Sequence, residues 1–445
     1  MLTKEDNELL TRTDPGTPCG ELMRRYWQPA ALSRELPLGG APLPVRLLGE
    51  DLVLFRDDQG RPGLLGLHCS HRGADLSYGR IEDGGLRCIY HGWLYDINGR
   101  CIEQPGEPRA VPSSDFRVSR DEPPLGTRNS EPETQPLRHP AYPCGERNGI
   151  IFAYLGPGDP PLLPSYPFFT VPENHTYATK IYSQCNYLQG NEGNIDLLHT
   201  SFLHYLKRDL RSLSAEERRA AVERYEAPED LSGRGPSPGL ENCEAEPIPY
   251  GLRICKIRRA GDDIYVRLAT FLLPSLTVIP GGGVNWHVPI DDTHHWKYMF
   301  VFSREAPLDK AVIQRERSEL TPDFRLLRNT SNRFMQDRES METKTYTGMG
   351  HGFQAHDVFA TSSQGAIQDR TQEHVVSSDK AIIAARKLLE KAIKDVQEGR
   401  EPPHMMRDPA LNRFPHLQVI SDLVPGNVDV KQHTKSVEAE ARARL

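Results

Sequence analysis

Cys69-Ser-His71 and, after sixteen intervening residues, Cys88-Ile-Tyr-His91 decide the reading of this chain. Each is a short mixed pair, Cys-x-His and Cys-x2-His, and two such pairs on neighbouring hairpin-like turns can bring four ligands together. A Cys2His2 set suits either a structural zinc or a [2Fe–2S] cluster with two thiolates on one iron and two imidazoles on the other. A zinc finger separates its cysteines from its histidines, as Cys-x2-Cys and His-x3–5-His; mixed pairs favour the cluster. Replacing two anionic thiolates by neutral imidazoles makes that cluster less negative and raises its reduction potential. Gly73 and Gly92 follow the two ligand loops, where backbone is expected to approach sulfur closely. His68, one residue before a ligand, reads as a surface or supporting residue.

The rest of the composition sets the frame. The chain has 445 residues, with 54 Lys+Arg against 61 Asp+Glu, a net charge of −7. That is length enough for two domains, each with a proper core. Hydrophobic content of 37% and charged content of 26% describe a globular chain. No run reaches the roughly 18 apolar residues of a membrane span, and Met1-Leu-Thr-Lys-Glu-Asp6 holds no signal-peptide core. Mild acidity without a basic face argues against nucleic-acid binding. The expectation is a cytoplasmic protein with no nucleic-acid or membrane partner. Eight cysteines, at 19, 69, 88, 101, 144, 185, 243 and 255, are too sparse for a disulfide scaffold.

Residues 1–25 read as a helical lead-in. Strand signals dominate from Tyr26 to about Pro143, including two apolar runs around a turn between Pro44 and Phe55. Residues 113–138 read as a solvated loop, and Asn148–Gly156 as a strand. Residues 186–206 read as helix, 208–238 as a charged segment, and Gly251–Arg259, Asp263–Leu273 and His294–Phe302 as strands. The clearest helix is 378–398, with Ser378 as N-cap, Ile382, Ala385, Leu389, Ala392 and Val396 on one face, and Gly399 as its stop. The fold class is α+β: a small all-β domain followed by a larger domain of antiparallel sheet and helices.

A second constellation lies beyond the first. Asn186-Tyr-Leu-Gln-Gly-Asn-Glu192-Gly-Asn-Ile-Asp196-Leu-Leu-His199-Thr-Ser-Phe-Leu-His204 places a carboxylate and two histidines where a helix could point them toward one pocket. Two histidines and a carboxylate from elsewhere form the facial triad that leaves positions open on non-haem Fe(II). Asp357, Asp369 and Asp379 are candidates for the third ligand. Asp369 beside Arg370 reads as an ion pair, and Asp379 as a first-turn helix carboxylate.

With these residues in view, the chain resembles the Rieske non-haem iron oxygenases, or aromatic ring-hydroxylating oxygenase α subunits, and most closely their phthalate-dioxygenase-like branch. His68–Gln104 with Pro105-Gly106 carries the cluster-domain likeness; Asn186, Glu192, Asp196, His199, His204 and the 357–370 stretch carry the catalytic one. The likeness runs from about residue 17 to 395. It implies a Rieske [2Fe–2S] cluster on Cys69, His71, Cys88 and His91, and mononuclear Fe(II) on His199, His204 and Asp357. His356 stands where the family has Gln, and Ser362 where it usually has Glu. The implied domains are a lead-in at 1–25, a Rieske domain at 26–143 and a helix-grip-like catalytic domain at 144–445. Asp196 is implied to bridge His199 to a cluster histidine of the next subunit in a head-to-tail homotrimer, or stacked trimers. Asn186 and Glu192 would support it.

The implied activity is that of a terminal oxygenase. O2 and electrons from a separate flavin/ferredoxin-type reductase would hydroxylate a small aromatic substrate, an aromatic acid, to a cis-diol. Mono-oxygenation or O-demethylation is the alternative; a Rieske electron-transfer protein and a zinc-stabilised module are those of another class. No Gly-x-Gly-x-x-Gly fingerprint follows a strand, so the reductase is a separate chain, and Gly281-Gly282-Gly283 reads as a loop. A substrate carboxylate needs a basic partner, for which Lys207, Arg208 and Arg211 are candidates, with Phe202 and Trp286 as pocket walls. A solvated face and core packing are the competing readings of these residues.

Overall fold

The computed structural model describes residues 1–106, 137–196, 198–207, 214, 216–217, 240–260, 262–280, 283–316, 319–414, 417 and 419–443. Two compact units emerge: Ser33–Val45 with Asp51–Glu146, and Met1–Leu32 with Arg46–Glu50 and Arg147–Leu445. The loop expected at 113–138 and the charged segment at 208–238 lie, but for a few residues, outside the described ones.

In the smaller unit, the strands Arg80–Glu82, Gly85–Arg87, Leu94–Asp96 and Cys101–Glu103 form an antiparallel meander in chain order. Its first hairpin turns on Asp83-Gly84, both at positive φ (52° and 78°), the backbone twist that matches adjoining strands. A second ladder pairs Leu52–Arg56 with Pro62–Gly66 and then Ala141–Tyr142. Val53, Phe55, Leu65, Leu76, Leu86 and Tyr95 fill the core, and Cys69 and Cys88 are buried against them.

The larger unit is built on an antiparallel sheet. Its spatial order is Thr176–Ser183, His294–Phe302, Gly283–Asp291, Leu276–Ile279, Asp263–Leu272, Gly251–Ala260, Leu240–Ile248. The short Leu276–Ile279 strand covers only residues 270–272 of its neighbour; Ile420–Pro425 pairs with the remaining edge, 263–268. An edge otherwise open to pairing is thereby closed. The helix Lys380–Gln397 buries Ala381, Ala385, Leu389, Ala392, Ile393 and Val396 and packs on the Leu240–Ile248 and Gly251–Ala260 strands. Gly399 ends it at φ +77°. Ser378 is not its N-cap, because Ser377–Asp379 forms a 3-10 turn in which Asp379 accepts the Val376 N–H.

The expected helix at 186–206 is broken. It runs only from Tyr187 to Ile195, and Asp196 is extended (φ −68°, ψ 120°). Gly190, Gly193 and Asn194 are poor helix formers. Asp196 Oδ1 then accepts the Leu198 and His199 N–H groups at 2.7 and 3.3 Å, starting the His199–Ser201 3-10 turn.

Candidate metal centres

The two Cys/His loops of the smaller unit are copies of one another. Cys69 N–H donates to the Ala74 carbonyl and Cys88 N–H to the Trp93 carbonyl, both at 2.8 Å. Gly73 N–H returns to the Cys69 carbonyl at 2.8 Å and Gly92 N–H to that of Cys88 at 3.0 Å. These turns require positive φ, 72° at Gly73 and 78° at Gly92. Backbone conformation therefore already calls for glycine at both positions. The imidazoles of His71 and His91 lie 4.4 Å apart, centroid to centroid, and the Trp93 ring stacks on His71 at 4.5 Å. His71 Nδ1 and His91 Nδ1 are buried without a hydrogen-bond partner among the described residues. Two buried thiols and two buried, unpartnered imidazole nitrogens fit a cluster that would take all four. Burial pushes the Cys88 thiol up, and neighbouring Cys69 adds to this while the Tyr90 and His91 backbone N–H groups oppose it. His68 is exposed, with Nδ1 3.2 Å from the Gly73 carbonyl oxygen.

In the larger unit, His199 on its 3-10 turn, His204 five residues on, and Asp357 on the helix Phe353–Ser362 come together with ligand atoms within 4.8 Å of one another. His204 Nε2 is 2.9 Å and His199 Nε2 3.9 Å from Asp357 Oδ1. Neither Asp369 nor Asp379 joins this group. Asp369 also does not pair with Arg370; it caps Thr371 instead, and Arg370 holds Glu192.

His356, the departure from the family's Gln, has a structural role. It is buried behind His204, its Nε2 donating to the Gly350 carbonyl (3.0 Å) and its Nδ1 3.5 Å from His204 Nδ1. With Nε2 protonated, neutral His356 can only accept at Nδ1, so His204 donates from its own Nδ1. That leaves a lone pair on His204 Nε2 facing a carboxylate oxygen at 2.9 Å. Two electron-rich atoms so close need a proton or a metal ion between them, and the donor set suits Fe(II). His199 Nδ1 is buried and unpartnered, with Asp196 Oδ2 at 3.9 Å. Burial raises the Asp357 carboxyl, yet Lys297, His204 and His199 outweigh it and hold it well below the usual carboxylate range.

His199 and Asp357 line a cavity of ≈ 210 Å³ together with Lys297, His287, His295 and Asn194. None of these last four stands out in the sequence. His287 lies opposite Lys297 in the strand register, and His295 is two residues before Lys297, on the same face. His295 Nδ1 donates to the Cys185 carbonyl at 2.7 Å, and its Nε2 is 2.9 Å from His287 Nδ1. His287 Nε2 receives the Asn194 amide at 2.6 Å. Gly190 permits this packing, since a Cβ there would lie 2.2 Å from His287 Nδ1. Burial pushes the His295 imidazole down to about 4.

The remaining expected site residues support the scaffold. Asn186 is the N-cap of the Tyr187–Ile195 helix, and its amide donates to the Thr11 and Asp292 carbonyls at 2.8 and 2.7 Å. Glu192 lines the cavity but is held by Arg370 (2.8 Å) and Arg386 (2.7 Å). Trp286 is no wall of this cavity: it packs with Phe152, Phe168 and Phe169 in an aromatic core. Phe202 packs its ring on Tyr346, and Lys207 hydrogen-bonds the Glu342 carbonyl at 3.0 Å; neither lines the cavity. Arg208 and Arg211 lie outside the described residues.

Comparisons with known proteins agree across the chain. Residues 26–116 match the Rieske [2Fe-2S] domain and residues 153–444 the LigXa C-terminal domain like family. The chain is 34% identical to the phthalate 4,5-dioxygenase oxygenase subunit of Pseudomonas putida, covering 90% of this chain and 88% of that protein. It is 31% identical to the 5,5'-dehydrodivanillate O-demethylase oxygenase subunit of a Sphingobium species, covering 94% and 87%. A carbazole-bound oxygenase–ferredoxin complex of carbazole 1,9a-dioxygenase shares the fold, with TM-score 0.54 and 18% identity over 91% of this chain and 99% of that one.

Proposed function

We propose that this chain, which belongs to the Rieske non-haem iron oxygenases, is a terminal oxygenase that uses O2 and electrons from a separate reductase to cis-dihydroxylate an aromatic acid. What carries the reading is the triad: His199, His204 and Asp357 meet around one point beside a cavity. As a Rieske oxygenase α subunit the chain is an oxidoreductase with a [2Fe–2S] cluster and a mononuclear iron. Cys69, His71, Cys88 and His91 would hold the first, and His199, His204 and Asp357 the second. The mononuclear iron, when bound, supplies coordination positions left open for O2.

The chain's own residues set up that chemistry. His356 fixes the His204 tautomer so that Nε2 faces the metal position. Asp196 does the same for His199 once its carboxylate closes on Nδ1, and in a head-to-tail homotrimer it offers a hydrogen-bonded route from the neighbouring subunit's cluster. The ferredoxin in the carbazole dioxygenase complex supports a separate electron donor. Among the described residues no helix is long and apolar enough to cross a membrane.

O-demethylation is the second reading, favoured by the likeness to the dehydrodivanillate enzyme. The test is a single turnover. Reduced, iron-replete protein is mixed with O2 and either benzene-1,2-dicarboxylate or a methoxybenzoate. A diol from the first is expected. Formaldehyde from the second moves the assignment to demethylation, and neither product, with the cluster oxidised and the iron retained, overturns the aromatic-acid substrate.

A further inference from the structure

The cavity beside the triad has, apart from histidine, two cationic side chains in its described lining, Arg386 and Lys297. Arg386 is held by two carboxylates: its Nε donates to Glu192 Oε1 at 2.7 Å, and each terminal nitrogen donates to Glu373. Lys297 is different. Its side chain is 4% exposed, and among the described residues its ammonium makes one hydrogen bond, to Asp357 Oδ2 at 3.1 Å. An ammonium has three donors, so two remain for whatever fills the cavity.

The two histidines nearest Lys297 along its strand pair, His287 and His295, cannot take that role. The Nδ1 proton of His295 is spent on the Cys185 carbonyl, that of His287 on His295, and His287 Nε2 is already an acceptor for Asn194. Both rings are thus neutral, with their protons committed. Of the acidic lining, Asp357 is the carboxylate given an ion pair with Lys297, and the others have partners of their own. Glu192 and Glu373 are paired with arginine, Asp379 accepts the Val376 N–H, and Asp196 Oδ1 caps the Leu198 and His199 N–H groups. Asp357 alone balances Lys297, and a divalent metal on Asp357 would draw that charge away. The Lys297 ammonium then has less carboxylate charge held against it and more to offer an anion in the cavity.

We propose that Lys297 is the anchor for the carboxylate of the substrate, holding the acid group beside Asp357 and so presenting the ring to the iron position. The proposal rests on the aromatic-acid reading above and names the residue that enforces it. Lys297 reaches the cavity from the middle of a buried strand, fixed by its bond to Asp357, so a desolvated carboxylate gains a charge-assisted hydrogen bond that a neutral analogue lacks.

The test is anaerobic calorimetry with benzene-1,2-dicarboxylate and its neutral isostere benzene-1,2-dicarboxamide. Each is titrated into metal-free and Fe(II)-loaded wild type, Lys297→Gln and Lys297→Arg, with iron content measured in parallel. Wild type should prefer the acid by at least about tenfold, and the preference should grow on iron loading. Lys297→Gln should bring the ratio to near unity in both metal states, with amide binding little changed, and Lys297→Arg should keep most of it. The metal-free titration reads the ratio even if a variant binds iron poorly. If Lys297→Gln weakens acid and amide equally, Lys297 only supports Asp357 and the anchor is overturned. A wild type that makes diol yet binds acid and amide alike overturns the anchor and leaves the function. A wild type that neither binds nor oxygenates the acid overturns both.

Discussion

The two candidate metal centres of this chain are built in opposite ways. Cys69, His71, Cys88 and His91 sit on two loops with the same hydrogen bonds and the same positive-φ glycine, all within one stretch of sequence. His199, His204 and Asp357 come from a broken helix and a second helix more than 150 residues away. The first centre is a local motif, so its geometry follows from spacing. The second is assembled by tertiary structure, and its supports, His356, Lys297 and the His287–His295 pair, come from elements distant in sequence from the 186–204 motif.

That contrast predicts separable losses. His71→Ala should remove the cluster, and with it the visible absorption and reduced-state EPR signal, while the mononuclear iron stays. His204→Ala should do the reverse. Oxygenation should vanish in both, so iron content and EPR of the two variants are the measurement. Loss of both metals from either variant would show that the centres are not independently built.

The same contrast explains what the sequence made legible. Mixed Cys/His pairs are a dense local signal, and the strands Gly251–Ala260, Asp263–Leu272 and His294–Phe302 were plain from apolar runs. The 186–206 segment departs from its helical expectation because His199 and His204 invite a helical reading, whereas Gly190, Gly193 and Asn194 argue against one and Asp196 restarts the chain. Lys297 and His295 were hidden in a strand that reads as apolar with polar interruptions. A signal did exist: polar residues two apart, on a face that alternation assigns to the interior, are either paired or functional. Which of the two applies depends on partners such as Asp357 and Cys185, and those are set only by the fold.

Long-range assembly should also make the larger unit vulnerable at its buried charges. Glu192 ties the Tyr187–Ile195 helix to Arg370 and to Arg386 on the Lys380–Gln397 helix. Burial raises its carboxyl, but the two guanidiniums prevail and hold it low. Glu192→Gln leaves Arg370 without its carboxylate in a buried position, and should cost about 3–5 kcal/mol, read as the shift in a urea midpoint. A change under about 1 kcal/mol would mean that Glu373 and Asn7 suffice for the two arginines.

A smaller effect should appear with pH. His295 is buried neutral with its imidazole pushed down to about 4. As pH falls below about 6.5, the unfolded chain protonates this histidine first, so stability is full above that value and declines toward pH 4. The loss reaches about 3 kcal/mol. Denaturant midpoints at pH 7 and pH 4.5 should lie closer together in His295→Gln than in wild type. Equal slopes would show that the His287–His295 pair is protonated in the folded state.

The smallest effect separates Lys207, the lysine that the sequence offers as a basic partner, from Lys297, which the fold brings to the cavity. Lys207 follows the histidine motif and looks like the cation for an acidic substrate, whereas Lys297 looks like an interruption in a strand. Lys207 is 33% exposed, bonds the Glu342 carbonyl, and sits 4.0 Å from a Glu342 carboxylate that is itself 84% exposed. An ion pair so solvated contributes little. Lys207→Ala should therefore shift stability by under about 0.5 kcal/mol and leave the dissociation constant for benzene-1,2-dicarboxylate within about twofold. A tenfold loss of affinity in Lys207→Ala would reverse this ranking. It would mean that Lys207 reaches the bound substrate, and that proximity in sequence is the better guide to the anchor than burial beside Asp357.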